Sequence, residues 1–132
     1  MKKIYYLFAL ILFLASCNDT DEKLDGKWQL QKVDVEGTTI EVDTVYYNFQ
    51  TSLFMYQIYR PSLQSYSHCF GFKTVNDDHQ LALELTTYGT DVSKFLPQTD
   101  WQNSHRLFNI ERLDGQHLVL KNGKKTYHFR RF

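Results

Sequence analysis

A thiol and an imidazole stand side by side at His68-Cys69, the residue types of a cysteine nucleophile and its general base. We expect this segment to be a strand, on which neighbouring side chains point to opposite faces, so the two cannot form a catalytic hydrogen bond. The sequence contains no Gly-x-Ser-x-Gly, no His-Glu-x-x-His and no glycine-rich phosphate-binding loop. We therefore predict no catalytic residue, no cofactor and no enzymatic activity. Cys69 is expected to be a small buried or half-buried apolar residue.

The five histidines raise a second kind of chemistry, metal binding. If the last hairpin turns at Asn122-Gly123, His117 and His128 lie opposite each other on the outer face, about 5 Å apart. Two imidazoles at that spacing can hold a transition metal, but no Asp, Glu or Cys is placed as a third ligand. We interpret the two histidines as part of an exposed polar stripe and predict no metal site.

In the middle of the chain, aromatic side chains occupy both faces of the expected strands, although core packing requires them on only one face. The second phase is either an apolar surface patch for a ligand, glycan or protein partner, or part of the filling of a small core. The inward phase, in turn, either fills the interior or lines a cavity for one small apolar ligand. The candidate cavity or patch residues are Tyr47, Phe49, Phe54, Tyr56, Phe70, Phe72, Leu83 and Trp101.

The first 17 residues have the three parts of a secretory signal sequence: two lysines, an apolar run over Ile4–Ala15 and small residues before a cysteine. At about 1.5 Å per residue, that run is too short to cross ~30 Å of hydrocarbon. The tetrapeptide Leu14-Ala15-Ser16-Cys17 resembles the lipobox of bacterial lipoproteins, in which the cysteine thiol is joined to diacylglycerol. The resemblance implies a signal peptide over residues 1–16, a lipid on Cys17 and a membrane as the first partner.

Residues 17–23 contain three acidic side chains and no apolar one after the cysteine, which predicts a solvated, lipidated tether. This stretch resembles the acidic export signal that sends some Gram-negative lipoproteins to the cell surface. We expect the protein in the cell envelope, lipid-anchored to the outer membrane, with the periplasmic face and the cell surface both left open.

Charge and composition exclude other classes of protein. The 132-residue chain has 15 basic and 15 acidic residues, and without Lys2 and Lys3 the balance is −2, which excludes binding of nucleic acid by charge alone. Aromatic residues at 16% and charged residues at 23% exclude a disordered chain. After cleavage Cys69 has no disulfide partner, so the domain must be stable through its own core, and we expect a monomer.

From Leu24 onward, apolar and polar residues alternate and no helical period is sustained. Turn signals divide this stretch into about eight short strands. The pattern predicts one all-β domain over residues 24–132, a small up-and-down antiparallel β-barrel of about eight strands, with a sandwich as the alternative. The apolar phase changes between Leu30 and Val33, which predicts a bulge or a register change in the first strand.

The sequence also predicts the geometry of two connections between strands. A three-residue loop at Asp114-Gly115-Gln116 would place Ile110 opposite Leu120 and Arg112 opposite Leu118, which keeps the apolar side chains on one face. Residues 89–104 are predicted to form a long loop or one short helix, capped by Asp91 or Ser93. This segment is expected to pack its apolar side chains over one end of the sheet.

Gly26-x-Trp28, at the start of the first strand, resembles the Gly-x-Trp signature of lipocalins. In that family the tryptophan plugs one end of an eight-stranded barrel and an arginine near the last strand lies across it, a place that Arg130 or Arg131 would fill. Thr99-Asp100-Trp101 resembles the family's Thr-Asp-Tyr motif, but three strands are predicted after it where the family has two. The chain also lacks a helix after its last strand and a disulfide pair, and it is short for a lipocalin.

The resemblance implies a lipocalin-like domain that binds a small apolar or amphiphilic ligand without catalysis. The alternative is a filled barrel that serves as an accessory subunit and contacts a protein partner in an outer-membrane assembly. Ligand binding is the leading prediction from the sequence, and the accessory subunit is the second.

Overall fold

The computed structural model describes residues 19–132, so the predicted signal peptide and Cys17 lie outside the described residues. The strands are β1 (Gly26–Val35), β2 (Thr38–Glu41), β3 (Val45–Gln50), β4 (Leu53–Arg60), β5 (Ser65–Asn76), β6 (Gln80–Leu85), β7 (His105–Leu113), β8 (His117–Asn122) and β9 (Lys125–Arg131). Two short helices, α1 (Asp19–Leu24) and α2 (Val92–Phe95), and two 3₁₀ turns, Pro61–Leu63 and Leu96–Gln98, complete these elements. Within the described range no helix is long and apolar enough to span a bilayer.

The strands close into a barrel. Each strand from β3 to β8 pairs antiparallel with the next, and β1 pairs with β3 on one side and with β9 on the other. Eight strands therefore complete the ring, and β2 is an extra strand that pairs with the second half of β1, over residues 32–35. The predicted all-β, up-and-down barrel of about eight strands is confirmed.

Strand alternation builds the core, because each of the eight barrel strands turns one face inward. Every one of them contributes at least one buried apolar side chain. The main members are Trp28, Leu30, Val33, Tyr47, Phe49, Phe54, Tyr56, Cys69, Leu81, Leu83, Leu85, Phe108, Leu118, Leu120, Tyr127 and Phe129.

The predicted irregularity in β1 is a bulge. The pairing of β1 with β9 shifts between Leu30 and Lys32, leaving Gln31 as the extra residue. Leu30 and Val33 are consequently both buried although they are three residues apart. The bulge thus keeps the apolar side of β1 facing the interior along its full length.

The β7–β8 hairpin has one predicted pair and one corrected pair. Ile110 lies opposite Leu120 as expected, but a bulge follows, so that Leu113, and not Arg112, lies opposite Leu118. The bulge directs an apolar side chain inward where a regular ladder would direct a charged one. The carboxylate of Asp114 accepts hydrogen bonds from the backbone N–H groups of residues 116 and 117, which tightens the turn.

The β8–β9 hairpin has a register different from the predicted one. Asn122 pairs with Lys125, so the two-residue loop is Gly123-Lys124 and not Asn122-Gly123. His117 consequently lies opposite Arg130, and His128 lies opposite Val119, so the two histidines do not face each other. In residues 19–132 no group of three or more His, Cys, Asp or Glu side chains is placed to hold a metal ion.

Of the two irregular segments, the tether is more ordered than predicted, and residues 89–104 contain the predicted short helix. Part of the predicted tether is helix α1, whose last residue, Leu24, is fully buried. The long connection between β6 and β7 contains α2, capped by Asp91, whose side chain accepts a hydrogen bond from the backbone N–H of Ser93. The same connection places Trp101 inside the barrel.

Candidate functional site

One end of the barrel is closed by Trp28 and Arg131. The Trp28 indole is fully buried, and its Nε1 donates a 2.8 Å hydrogen bond to the carbonyl of Leu24. The Arg131 guanidinium lies 4.2 Å from the indole centroid and donates to the carbonyls of Lys23, Asp25 and Gly115, each at 2.8 Å. Of the two candidate arginines, Arg131 thus lies across the tryptophan, whereas Arg130 is exposed on the opposite face of β9.

A buried lysine completes the closed end. The Lys73 side chain has no exposed surface, and its Nζ lies 3.2 Å from Oδ1 of Asp21 and 3.6 Å from Oδ1 of Asp25. These contacts fasten α1 across the bottom of the barrel. Lys73 lies on the same face of β5 as Cys69 and Gly71. An interpretation that turned these small residues inward, in place of the aromatic ones, would have predicted the inward position of Lys73.

Aromatic rings fill the middle of the barrel. The ring centroid of Tyr47 lies 5.1 Å from that of Phe54, 4.9 Å from that of Tyr56 and 4.8 Å from that of Phe129. The Trp101 indole N–H donates to the Tyr47 hydroxyl at 3.2 Å. Six of the eight candidate residues are buried in this interior: Tyr47, Phe49, Phe54, Tyr56, Leu83 and Trp101.

Phe70 and Phe72 lie outside the barrel, 41% and 50% exposed, so the eight candidates do not form one site. This corrects any interpretation in which these two rings line an interior cavity. The physical reason lies at Gly71, where a Cβ atom would come within 1.8 Å of the Glu84 carbonyl oxygen. Only glycine permits this approach of β5 to β6, and with Gly71 on the inward phase its aromatic neighbours face outward.

The Cys69 thiol and His68 are separated as strand geometry requires. Cys69 is fully buried, and its Sγ donates to the carbonyl of Thr86 at 3.4 Å. Burial raises the pKa of this thiol, which keeps it protonated at neutral pH. The His68 ring lies on the outer face against Phe70, with centroids 5.2 Å apart.

The open end of the barrel contains a cavity of about 240 Å³. The β1 bulge and the break between β2 and β3 supply its apolar wall: Leu30, Val33, Val35, Ile40, Val42 and Val45. The segment after α2 and the start of β9 supply much of its polar side, which comprises Tyr47, Tyr56, Gln98, Thr99, Asp100, Lys125 and Tyr127. A wall of this kind facing a few convergent polar groups is typical of small-molecule sites.

Asp100 lies at the centre of the polar side, where it contacts three other side chains. Its Oδ1 accepts a 2.9 Å hydrogen bond from Arg106, and its Oδ2 accepts from the Tyr127 hydroxyl and lies 3.3 Å from the Lys125 ammonium. Burial raises the pKa of Asp100, but the Tyr127 hydrogen bond and the charges of Arg106 and Lys125 outweigh it and lower the pKa overall. Burial, together with Asp100, raises the pKa of Tyr127. Asp100 is therefore ionised at neutral pH, and Tyr127 is a hydrogen-bond donor.

A second, more polar cleft of about 490 Å³ adjoins this cavity. The two spaces share Val35, Asp100 and Lys125, so these side chains form the border between them. In the outer cleft, the Lys124 ammonium lies 2.7 Å from a carboxylate oxygen of Glu36. A molecule that crosses the border would place one end among apolar side chains and the other among charged ones.

Two of the eight candidate residues, Tyr47 and Tyr56, line this cavity, whereas its charged residues, Asp100 and Lys125, were not among the candidates. Thr99-Asp100-Trp101 was noted for its resemblance to a family motif, and Asp100 proves to be the centre of the polar network. No sequence pattern predicts the contact between Asp100 and Lys125, because Asp100 lies in an irregular loop and Lys125 at the start of a strand.

Comparisons with known proteins agree with this architecture. Residues 11–132 match the model of a family described as a lipocalin-like domain. A lipocalin-like protein from Bacteroides uniformis is 25% identical, with a TM-score of 0.75 over 83% of this chain and 99% of its own. An uncharacterized protein from Bacteroides eggerthii is 22% identical, with a TM-score of 0.69 over the same shares. Among curated proteins none matches the sequence. The resemblance carried by Gly26-x-Trp28 is confirmed: this chain belongs to the family of lipocalin-like domains.

Proposed function

We propose that this protein binds one small amphiphilic molecule at the open end of its barrel and catalyses no reaction on it. The lipocalin-like barrel is a binding fold, which supports a non-enzymatic role. The observation that carries the proposal is the cavity of about 240 Å³, with valines on one side and Asp100 and Lys125 on the other. Its walls match an apolar group at one end of a ligand and a polar group at the other.

The size of the cavity limits the ligand. A volume of about 240 Å³ lies below the ~300–1,000 Å³ of drug-sized sites and above the ~150 Å³ that accommodates benzene. At ~30 Å³ for each water-sized group it holds about eight of them. A long acyl chain would have to displace the rings around Tyr47, which are close-packed. We therefore expect a compact ligand with about six carbons in its apolar part.

Val42→Phe tests the site by filling the apolar wall. The variant should bind 1-hexanol at least tenfold more weakly than the wild type, measured by ligand-observed NMR titration, because the added ring occupies the cavity. Val119→Phe is the matched control, since Val119 lies between the inward Leu118 and Leu120 and faces the outside of the barrel; its affinity should stay within about twofold. Equal affinity of Val42→Phe and the wild type would place the ligand elsewhere.

We also propose that signal cleavage and a lipid on Cys17 anchor the protein in the cell envelope, on the outer membrane. The tetrapeptide Leu14-Ala15-Ser16-Cys17, which spans the expected cleavage site before Cys17, supports this. Cys17→Ala should move the protein from the membrane fraction and remove the mass of the acyl chains, whereas Cys69→Ala should leave both unchanged. Membrane retention of Cys17→Ala without lipid would contradict the anchor.

A second candidate function, an accessory subunit of an outer-membrane assembly, is favoured by the outer face of β4 and β5. Leu53 lies opposite Phe72 there, and Met55 lies opposite Phe70, so exposed apolar side chains are contiguous. If this face holds a protein partner, the double variant Phe70→Ser and Phe72→Ser should abolish a larger complex on native gels of detergent-extracted membranes. Its 1-hexanol affinity should stay unchanged, which separates this function from ligand binding.

A further inference from the structure

We infer that the ligand carries a carboxylate, which binds beside Lys125 while the apolar part of the molecule enters the open-end cavity. This inference rests on the proposed function and names the chemical class of its ligand. Three features of the described residues support it: the balance of charge, the supply of unused hydrogen-bond donors, and the position of Lys125.

The charge balance around the two adjoining spaces favours an anion. Arg106, Lys124 and Lys125 contribute three positive charges among the lining residues, and Glu36 and Asp100 contribute two negative ones. Glu36 is engaged by Lys124, and Asp100 is shared between Arg106 and Lys125. Among the described residues that line the two spaces, one positive charge therefore remains without a matching negative charge, and a ligand carboxylate would complement it.

The unused hydrogen-bonding groups at the border are donors. Both oxygens of Asp100 already accept hydrogen bonds or ion-pair contacts from Arg106, Tyr127 and Lys125. The Arg106 side chain is 9% exposed and already contacts Asp100, Asn122 and Tyr127. Lys125 is 37% exposed, and within the described part of the chain its ammonium contacts one acceptor, at 3.3 Å. An ammonium has three donors, so two remain for a ligand.

Lys125 also has the right position. It lines both the apolar cavity and the polar cleft, so a group bound to it lies where a chain leaving the cavity would end. Deeper in the cavity, the Tyr47 hydroxyl is engaged by the Trp101 indole. A ligand amine would meet the Lys125 ammonium and a carboxylate with both oxygens occupied. An alcohol would gain no charge interaction.

Three probes with the same six-carbon chain separate these cases: hexanoate, 1-hexanol and hexylamine. The protein is used as the cell processes it, in lipid nanodiscs, and empty nanodiscs provide the blank for ligand-observed NMR titrations. Hexanoate should bind at least tenfold more tightly than 1-hexanol, and hexylamine most weakly. Raising the salt concentration should weaken hexanoate binding and leave 1-hexanol binding unchanged, because salt screens only the charge interaction.

Lys125→Met and Lys125→Gln should each weaken hexanoate binding at least tenfold and remove its dependence on the salt concentration. Lys121→Met is the matched control, since Lys121 is an exposed lysine on the neighbouring strand, and it should change neither affinity. Equal binding of hexanoate and 1-hexanol, or tightest binding of hexylamine, would overturn the inference while the cavity remained the binding site. Binding of none of the three probes would contradict the proposed function itself.

Discussion

The two ends of the barrel combine the same kinds of residue, a cation, a carboxylate and an aromatic ring, with opposite results. At the closed end, Arg131 donates to three carbonyls at 2.8 Å, and the Lys73 side chain has no exposed surface. At the open end, Lys125 makes one 3.3 Å contact with Asp100 beside a cavity. The comparison indicates that a cation with its donors occupied holds the fold together, whereas one with free donors is available to a ligand.

The rings in the middle of the barrel separate the two ends. Tyr47 contacts Phe54, Tyr56 and Phe129, and Trp101 lies over the same group. Substitutions at the closed end should therefore have large effects on the free energy of unfolding and leave ligand affinity alone, whereas substitutions at the mouth should have small effects on the free energy of unfolding. Three predictions test this division.

The largest effect is expected for Trp28→Ala. Removing a fully buried indole should lower the free energy of unfolding by about 3–5 kcal/mol, measured by urea denaturation. The folded fraction should bind hexanoate as the wild type does. A loss below about 1 kcal/mol would show that the indole does not hold the closed end together.

A matched pair of arginines sharpens the comparison. Arg131→Ala should cost about 2 kcal/mol, because it removes three charge-assisted hydrogen bonds and the contact with Trp28. Arg130→Ala, one position away on the exposed face, should stay within about 0.5 kcal/mol of the wild type. Equal effects of the two variants in thermal or urea unfolding would remove the special role assigned to Arg131.

The smallest effect is expected for Asp100→Asn, and it should depend on pH. The pKa of Asp100 is lower in the folded protein than the ~3.9 of an unfolded aspartate, so its ionised form stabilises the fold above about pH 4. That contribution is lost as the pH falls through the folded-state pKa. The stability difference between wild type and Asp100→Asn should therefore be constant near neutrality and shrink below about pH 4.

Urea denaturation of both proteins at several pH values between 3 and 7 measures this difference. The other aspartates with lowered pKa values, Asp34, Asp91 and Asp114, are present in both proteins, so their effects cancel. A difference that grows as the pH falls would mean that Asp100 is not stabilised as an anion.

The sequence carried enough information for the barrel and for the role of Trp28 at its closed end. Alternation predicted the strands, the phase change between Leu30 and Val33 predicted the β1 bulge, and Gly26-x-Trp28 pointed to the family. These features are local, or they are short motifs with a fixed structural role, so they can be found without knowing the packing.

The remaining features depend on contacts between distant residues. Asn122 lies in β8 and not in the turn, where its side-chain amide donates to the carbonyl of Leu107 at 2.8 Å. The inward phase of β5 depends on the approach of Gly71 to β6, which alternation alone does not show. The open-end site joins Asp100 in an irregular loop to Lys125 on the last strand. No periodicity in the sequence encodes these pairings.

The most direct test of the account is a ¹H–¹⁵N NMR titration of the protein with hexanoate. We predict chemical-shift changes at the open end, at Val42, Thr99 and Lys125, and unchanged signals at Gly26 and Gly115 of the closed end. Changes centred on the closed end or on the outer face of β4 and β5, or no change at saturating hexanoate, would contradict the assignment of the open end as the binding site.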